Sequence, residues 1–255
     1  MNPSQDNRFQ DFFVDDKYIF LKNFLYNYLL RKSAVEKVLQ NDKREMILEV
    51  GSGISPVVTT DDRIVYSDLS ILALQIMKRN LGKGMYVAAD IMNLPFRTES
   101  FSHVVSSEVL EHVEDDRNAL AEIARITKAL GVFIVTFPHR RFYFACDDRF
   151  VKHFRRYGLA EMENHLKKAG LYPVLVRKVL GPLEKITMCI AIFFFSMIHR
   201  FHKSDKKNTQ WSRTSVIFSF LFKWLNRLFA VFVWLDAIIM PRALSTVLLI
   251  KAVKK

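Results

Sequence analysis

The sequence predicts an α/β fold in which a mostly parallel sheet carries helices on both faces. From Met46 onward short apolar runs alternate with amphipathic segments, an order that closes as strand–helix–strand units. The second observation is the stretch Ile47-Leu48-Glu49-Val50-Gly51-Ser52-Gly53-Ile54-Ser55-Pro56, an apolar strand ending in an acid and a turn with two close glycines. Such a turn lets backbone amides approach a ligand that a Cβ would exclude. The third is Asp68, placed after the next apolar run, where a carboxylate can accept hydrogen bonds from ribose hydroxyls.

The elements follow in order. Residues 17–40 read as a helix, with Ile19, Phe20, Phe24, Tyr28, Leu29 and Val35 recurring at three- and four-residue steps, and this helix is expected to cover the sheet edge or lid the pocket. Strands are expected near 46–50, 63–68, 84–89, 103–107, 131–137 and 172–179, and helices near 70–80, 115–130 and 158–169. The last strand is expected within Leu244–Val253, where Thr246-Val247-Leu248-Leu249-Ile250 is apolar and ends in lysines. The chain then divides into an N-terminal helical cap (1–45), a core (46–180), a hydrophobic helical insert (181–243) and a final core strand (244–255).

The insert is longer than an ordinary connection. Its first apolar stretch, Ile186–Ile198, is 13 residues, against the roughly 20 that a spanning helix requires. The second, Val216–Met240, is long enough, but Ser215, Ser219, Lys223, Asn226, Arg227 and Ala230 share one face. That pattern predicts a helix lying in the membrane plane with its polar stripe outward. Trp211, Trp224 and Trp234 suit the headgroup level, and Lys203, Lys206, Lys207 and Arg213 add charge. The competing readings are helices packed on each other or in a dimer interface, and a true membrane span.

Charge is divided unevenly. Residues 1–150 hold 19 basic and 21 acidic side chains and residues 151–255 hold 19 and 5, giving −2 and +14. An anionic partner follows, and Phe193-Phe194-Phe195 suits acyl chains better than a phosphate groove, so a membrane surface is favoured over nucleic acid. Cys146 and Cys189 form neither a disulfide framework nor a metal-ligand spacing, and no metal site is expected. The polar, acidic N-terminus does not read as a secretory signal, so a cytoplasmic protein, peripheral on the membrane, is the expectation.

In their order and spacing, the glycine turn, Tyr66-Ser67-Asp68-Leu69-Ser70, Val87-Ala88-Ala89-Asp90 and Ser106-Ser107-Glu108-Val109-Leu110-Glu111-His112-Val113 resemble the class I S-adenosylmethionine-dependent methyltransferases over roughly residues 40–180. The resemblance, to methyltransferase type 11-like proteins in particular, implies a Rossmann-like, doubly wound, seven-stranded sheet whose last strand enters antiparallel between two neighbours. It implies S-adenosyl-L-methionine as cofactor, with Glu49, Gly51, Ser52, Gly53 and Ser55 forming the loop around its methionine part. Asp68 and Leu69 would then meet the ribose, Asp90 and Ile91 the adenine, and Ser107 and Glu108 the cofactor side of the fourth strand. Ser55 stands where the family usually has a third glycine, and Ser102 where it commonly has Asp. Either acid, Asp68 or Asp90, also fits a helix cap.

Methyl transfer from a sulfonium is an in-line displacement that mainly requires alignment in a dry pocket; an oxygen acceptor also needs a base. His112, His139 and His153 are the candidates, and for His112 a structural role competes with a catalytic one. Arg155 and Arg156 could bracket a phosphate on the acceptor or pair with Glu161 and Glu163. The resulting expectation is methyl transfer to a small-molecule or lipid-linked acceptor (a glycan, a quinone precursor or a lipid headgroup) at a membrane surface. Its rivals are a small-molecule methyltransferase whose insert is a dimer interface and a non-catalytic, membrane-associated scaffold that binds the cofactor. A dinucleotide-dependent oxidoreductase is disfavoured, because Gly51-Ser-Gly53-Ile-Ser55 lacks the third glycine of that fingerprint.

Overall fold

The computed structural model describes residues 25–40, 42–189 and 213–255. Strands β1 (Ile47–Val50), β2 (Ile64–Asp68), β3 (Met85–Ala88), β4 (Phe101–Ser107), β5 (Thr127–Pro138), β6 (Leu171–Leu180) and β7 (Val247–Lys254) form one seven-stranded sheet in the order β3-β2-β1-β4-β5-β7-β6. The first five run parallel, and β7 is antiparallel to both β5 and β6. This is the Rossmann-like arrangement with the inserted last strand that the resemblance implied.

Side chains alternate between two cores, as the two-residue period of a strand requires. Leu48, Val50, Val104, Phe133, Val135, Leu248 and Ile250 face one core, which helices α3 (Asp116–Ile126) and α5 (Leu159–Lys168) close with Leu120, Ile123, Met162 and Leu166. Ile47, Ile64, Tyr66, Val105, Ile134 and Leu249 face the other. There α1 (Tyr26–Leu39), α2 (Ile71–Leu81) and α6 (Arg213–Ile239) contribute Val35 and Leu39, Leu74 and Met77, and Val233. β1 is buried along its whole length because neighbours flank both edges and helices cover both faces.

The strand and helix positions agree with the sequence reading except for the short helix α4 (Cys146–Phe150), which it did not expect, and one junction. The helix expected to run to residue 130 stops at Ile126, where the Thr127 hydroxyl donates to Ile123 O at 2.6 Å. β5 begins at Thr127, and its pairing with β4 is irregular between Phe101 and His103. In that stretch Leu130 takes a positive φ of 59°, and a Cβ on Gly131 would lie 2.7 Å from Lys128 O. Of the helix expected over 17–40, residues 17–24 lie outside the described part.

Helix α6 corrects part of a second expectation. Of the stripe expected to face outward, Asn226 and Ala230 face the protein while Arg227 is exposed, and most of the large apolar side chains described on this helix face outward. Asn226, Val233 and Ala237 are buried and Ala230 is half-buried, at steps of three and four, whereas Trp224, Leu228, Phe232, Trp234 and Ile239 are exposed. The reason is docking: Asn226 Oδ1 accepts from the Tyr26 amide at 3.4 Å, and Asp236 accepts from Leu183 N at 2.9 Å in the first turn of the helical residues 182–189. Small side chains at 230 and 237 let the helix approach β6 and α1. Among the described residues no helix is long and apolar enough to cross a membrane. Residues 190–212, with Phe193–Phe195, Lys203, Lys206, Lys207 and Trp211, and the side chains of Arg213, Ser215 and Ser219 lie outside the described part.

Candidate functional site

The site lies at the carboxyl ends of β1, β2 and β4, beside the point where strand order reverses, the usual ligand crevice of an open α/β sheet. Gly51 and Gly53 have φ of +69° and +55°, a region that L side chains rarely adopt. A Cβ on Gly51 would also lie 2.4 Å from Val109 Cγ2, so the β1 turn and the β4 turn touch through glycine. Ser52 N donates to Ser67 O at 3.1 Å, and Ser52 is buried. The buried Ser55 Oγ has no hydrogen-bond partner within the chain.

Glu49 does not open into this crevice. Its buried carboxylate accepts from Val57 N at 2.8 Å and Val58 N at 3.0 Å, which ties the far end of the loop to β1. Burial pushes its pKa up to about 8, against the two amide bonds that favour the ionised form. Asp68 lies at the rim: one oxygen accepts from Gly53 N and the other from Ser70 N, both at 2.8 Å. A carboxylate at this position is of the kind that accepts from a vicinal diol. The α2 cap is a separate residue, Ser70, whose Oγ accepts from Ala73 N. Leu69 is half-buried beside Asp68. Asp90 accepts from Met92 N at 2.9 Å next to buried Ile91, a turn of the kind that presents backbone groups to a base edge.

At the end of β4 the Ser107 hydroxyl bonds Thr136 Oγ1 at 2.8 Å. Glu108 has a φ of +56°, strained for a side chain of this size, and its Oε2 lies 3.8 Å from Arg31 Nη1 on α1. Helix α1 thus reaches the pocket, and Tyr28 Oη donates to Pro56 O of the glycine loop at 2.8 Å. Ser102, the departure from the family's Asp, accepts from Glu45 N and Met46 N and binds the start of β4 to the residues before β1.

The three candidate histidines separate. His112 and His153 stack edge to face with ring centroids 4.6 Å apart, and Glu111 joins them, its Oε1 3.7 Å from His153 Nε2. His139 does not join them: it is buried, bonds Ser245 O through Nδ1 at 2.9 Å, and burial lowers its pKa. It fastens β5 to β7. Glu111 is fully buried with neither carboxylate oxygen hydrogen-bonded among the described residues, and burial, with Glu108 beside it, raises its pKa well above the usual range.

The arginines take partners other than those expected. Arg155 Nη1 lies 3.2 Å from Asp116, and Arg156 Nε bonds Asp148 at 2.7 Å, while Glu161 pairs with Arg141. Arg156 is pulled inward because Asp148 is buried and needs cations. Lys185 is the second of these, donating to Asp147 and to Asp148 at 2.6 Å. Sequence reasoning missed Arg31 and Asp148. Asp148 bonds His153 Nδ1 at 2.8 Å across five residues, a spacing that carries no sequence signal, and Arg31 reads as one charge on a helix until α1 is placed.

An open, mostly parallel sheet with an antiparallel seventh strand, glycines under the first turn and acids at the tip of β2 and beyond β3 is the fold of the class I S-adenosylmethionine-dependent methyltransferases. Residues 48–135 match the family model described as a methyltransferase domain. An uncharacterized protein of Methanocaldococcus jannaschii is 36% identical over 105 residues, 40% of this chain and 45% of that protein. Demethylmenaquinone methyltransferase of Renibacterium salmoninarum is 33% identical over 103 residues, 39% of this chain and 44% of that protein. The chain thus spans less than half the length of these relatives. In structure it is similar to a Thermotoga maritima S-adenosylmethionine-dependent methyltransferase, described as a possible histamine N-methyltransferase, with TM-score 0.63, 18% identity and coverage of 97% and 98% of the two chains. A putative methyltransferase of Haloferax volcanii, solved with its Trm112 activator, gives TM-score 0.60 at 16% identity, covering 97% and 96%.

Proposed function

We propose that the protein transfers a methyl group from S-adenosyl-L-methionine to a lipid-soluble or lipid-linked acceptor at a membrane surface. The cofactor assignment rests on the methyltransferase domain match and on the fit of Asp68 to a ribose diol. Gly51, Gly53 and the Ser55 hydroxyl would hold the methionine part, Asp90 and Ile91 the adenine, and Ser107 and Glu108 the side toward the acceptor. Bound there, the cofactor supplies an electrophilic methyl. The chain's part is to align the acceptor and exclude water.

The observation that carries the membrane half is the outward apolar face of α6. Trp224, Phe232, Trp234, Ile238 and Ile239 are each more than two-fifths exposed on one element, in the part of the chain that holds the +14 excess. A greasy face within a cationic surface suits an anionic bilayer, where each basic residue contributes about 1 kcal/mol and tryptophans sit at the headgroup level. Lipid-soluble acceptors are what an enzyme in that position reaches. The similarity to demethylmenaquinone methyltransferases is consistent with an isoprenoid quinone precursor.

The test is transfer of labelled methyl from the cofactor into a lipid extract, with mass analysis of the product. Label in an organic-soluble product supports the reading; label confined to water-soluble acceptors overturns its lipid half. Absence of S-adenosylhomocysteine binding by folded protein overturns the whole.

A further inference from the structure

We propose that Glu111, His112 and His153 bind a divalent transition-metal ion at the acceptor end of the crevice. One ligand atom from each of the three lies within 4.8 Å of the others. Ligation at about 2.0–2.2 Å places neighbouring donor atoms about 3–4 Å apart, and His153 Nε2 and Glu111 Oε1, at 3.7 Å, already stand at that separation. Small rotations of His112 close the set.

Two further observations point to a cation. Glu111 is fully buried on the 3-10 turn Leu110–His112, and among the described residues neither of its oxygens has a hydrogen-bond partner. A buried carboxylate without donors is costly unless a cation or proton meets it. The second is the support behind His153. Its Nδ1 bonds the buried Asp148 Oδ1 at 2.8 Å, and Asp148 is itself fixed by Arg156 and Lys185. That contact engages Nδ1 and leaves Nε2 on the side of Glu111, 3.7 Å from Oε1. A carboxylate behind a ligating imidazole is the arrangement that orients metal-binding histidines.

The chain has reason to hold this geometry. Tyr157 Oη donates to Leu110 O at 3.0 Å and to Asp116 at 2.8 Å, and Phe154 N donates to Glu111 O at 2.9 Å. These bonds clamp residues 110–116 against 153–157. Two imidazoles with a carboxylate suit zinc, manganese or ferrous ions better than calcium or magnesium, which prefer all-oxygen sets.

The role given to the ion rests on the methyl-transfer reading. An acceptor hydroxyl bound to the cation releases its proton to solvent more readily. Its oxygen then bonds the methyl carbon as the carbon–sulfur bond breaks, both electrons staying on sulfur to give S-adenosylhomocysteine.

The experiment is titration of chelator-treated, full-length protein with cobalt(II), followed by its visible absorbance, and with zinc(II) in competition with a chromophoric chelator. One equivalent should bind, and Glu111→Gln and His153→Asn should each weaken zinc binding at least 100-fold while leaving S-adenosylhomocysteine affinity within twofold. Folded parent protein that takes up no stoichiometric cation, or variants that bind zinc as tightly as the parent, would overturn the site. Loss of S-adenosylhomocysteine binding would instead remove the methyl-transfer reading, because the metal titration is read independently of it.

Discussion

The Asp68 carboxylate accepts the Gly53 amide at 2.8 Å and so couples the tip of β2 to the glycine loop after β1. One side chain therefore shapes the loop and, under the proposed function, would also meet the ribose. Asp68→Asn keeps the size but loses the charge and presents an amide nitrogen to one donor. Hydrogen bonds to a charged group contribute about 1.5–3 kcal/mol, so the dissociation constant for S-adenosylhomocysteine should rise roughly 10- to 100-fold by calorimetry. Asp90→Asn, which touches only the adenine end, should cost less. Equal, small effects from both would remove Asp68 from the binding set.

Gly51 and Val109 make the closest approach between the β1 and β4 turns. In Gly51→Ala the new Cβ meets Val109 Cγ2 at 2.4 Å and the residue remains at a φ of +69°. Each source of strain destabilises by about 1–3 kcal/mol, and each kcal/mol lowers the thermal midpoint by about 2–4 °C for a chain of this size. Adding Val109→Ala should restore the part due to the clash and leave the part due to φ. Scanning calorimetry on the two single variants and the double variant separates them; full recovery in the double variant would show that backbone conformation contributes nothing.

Glu49 gives the fold a pH dependence of definite sign. Its folded pKa is raised to about 8 by burial, above the ordinary value of 4.5 that a solvated glutamate takes in the unfolded chain. Between those values the unfolded state ionises while the folded state keeps its proton. The stabilisation is complete below pH 4.5 and is lost as pH rises toward 8. At roughly 1.4 kcal/mol per pH unit the full span amounts to a few kcal/mol. Glu49→Gln stays neutral throughout. Its thermal midpoint relative to the parent should therefore rise between pH 5 and pH 8.5, and a constant difference would mean that Glu49 is ionised in the fold.

Strand positions were legible because apolar runs bounded by Gly, Asp and Ser carry the period of buried strands; the glycine loop, Asp68 and Asp90 were legible because those turns demand their residue types. The reversed face of α6 was not. Periodicity places Asn226 and Ala230 on one side but does not say which side meets protein, and polarity suggests solvent until Tyr26 is known to lie opposite. The same limit hid the Glu111–His112–His153 group. Residues 112 and 153 are brought together by the Tyr157 and Phe154 bonds, which no spacing encodes. His139 looked equivalent to His153 because both were expected on loops at the carboxyl ends of strands or on the cap beside them, and the pairing of β5 with β7 buries His139.

The outward side of α6 yields the prediction that separates a bilayer from a second copy of the chain. Phe232 and Ile239 are 52% and 74% exposed, so among the described residues their burial contributes little to the fold. Phe232→Ser and Ile239→Ser should leave the thermal midpoint unchanged. Burying such a side chain in acyl chains contributes about 1.5–3 kcal/mol, so each substitution should weaken partitioning to anionic liposomes roughly 10-fold or more in flotation assays. High salt should weaken the parent as well, because the cationic contribution is screened. If the face covers another protomer instead, the same variants will convert a dimer to a monomer in sedimentation while flotation stays as it was. The helix orientation survives either result, since it depends on Asn226 and Asp236 facing inward.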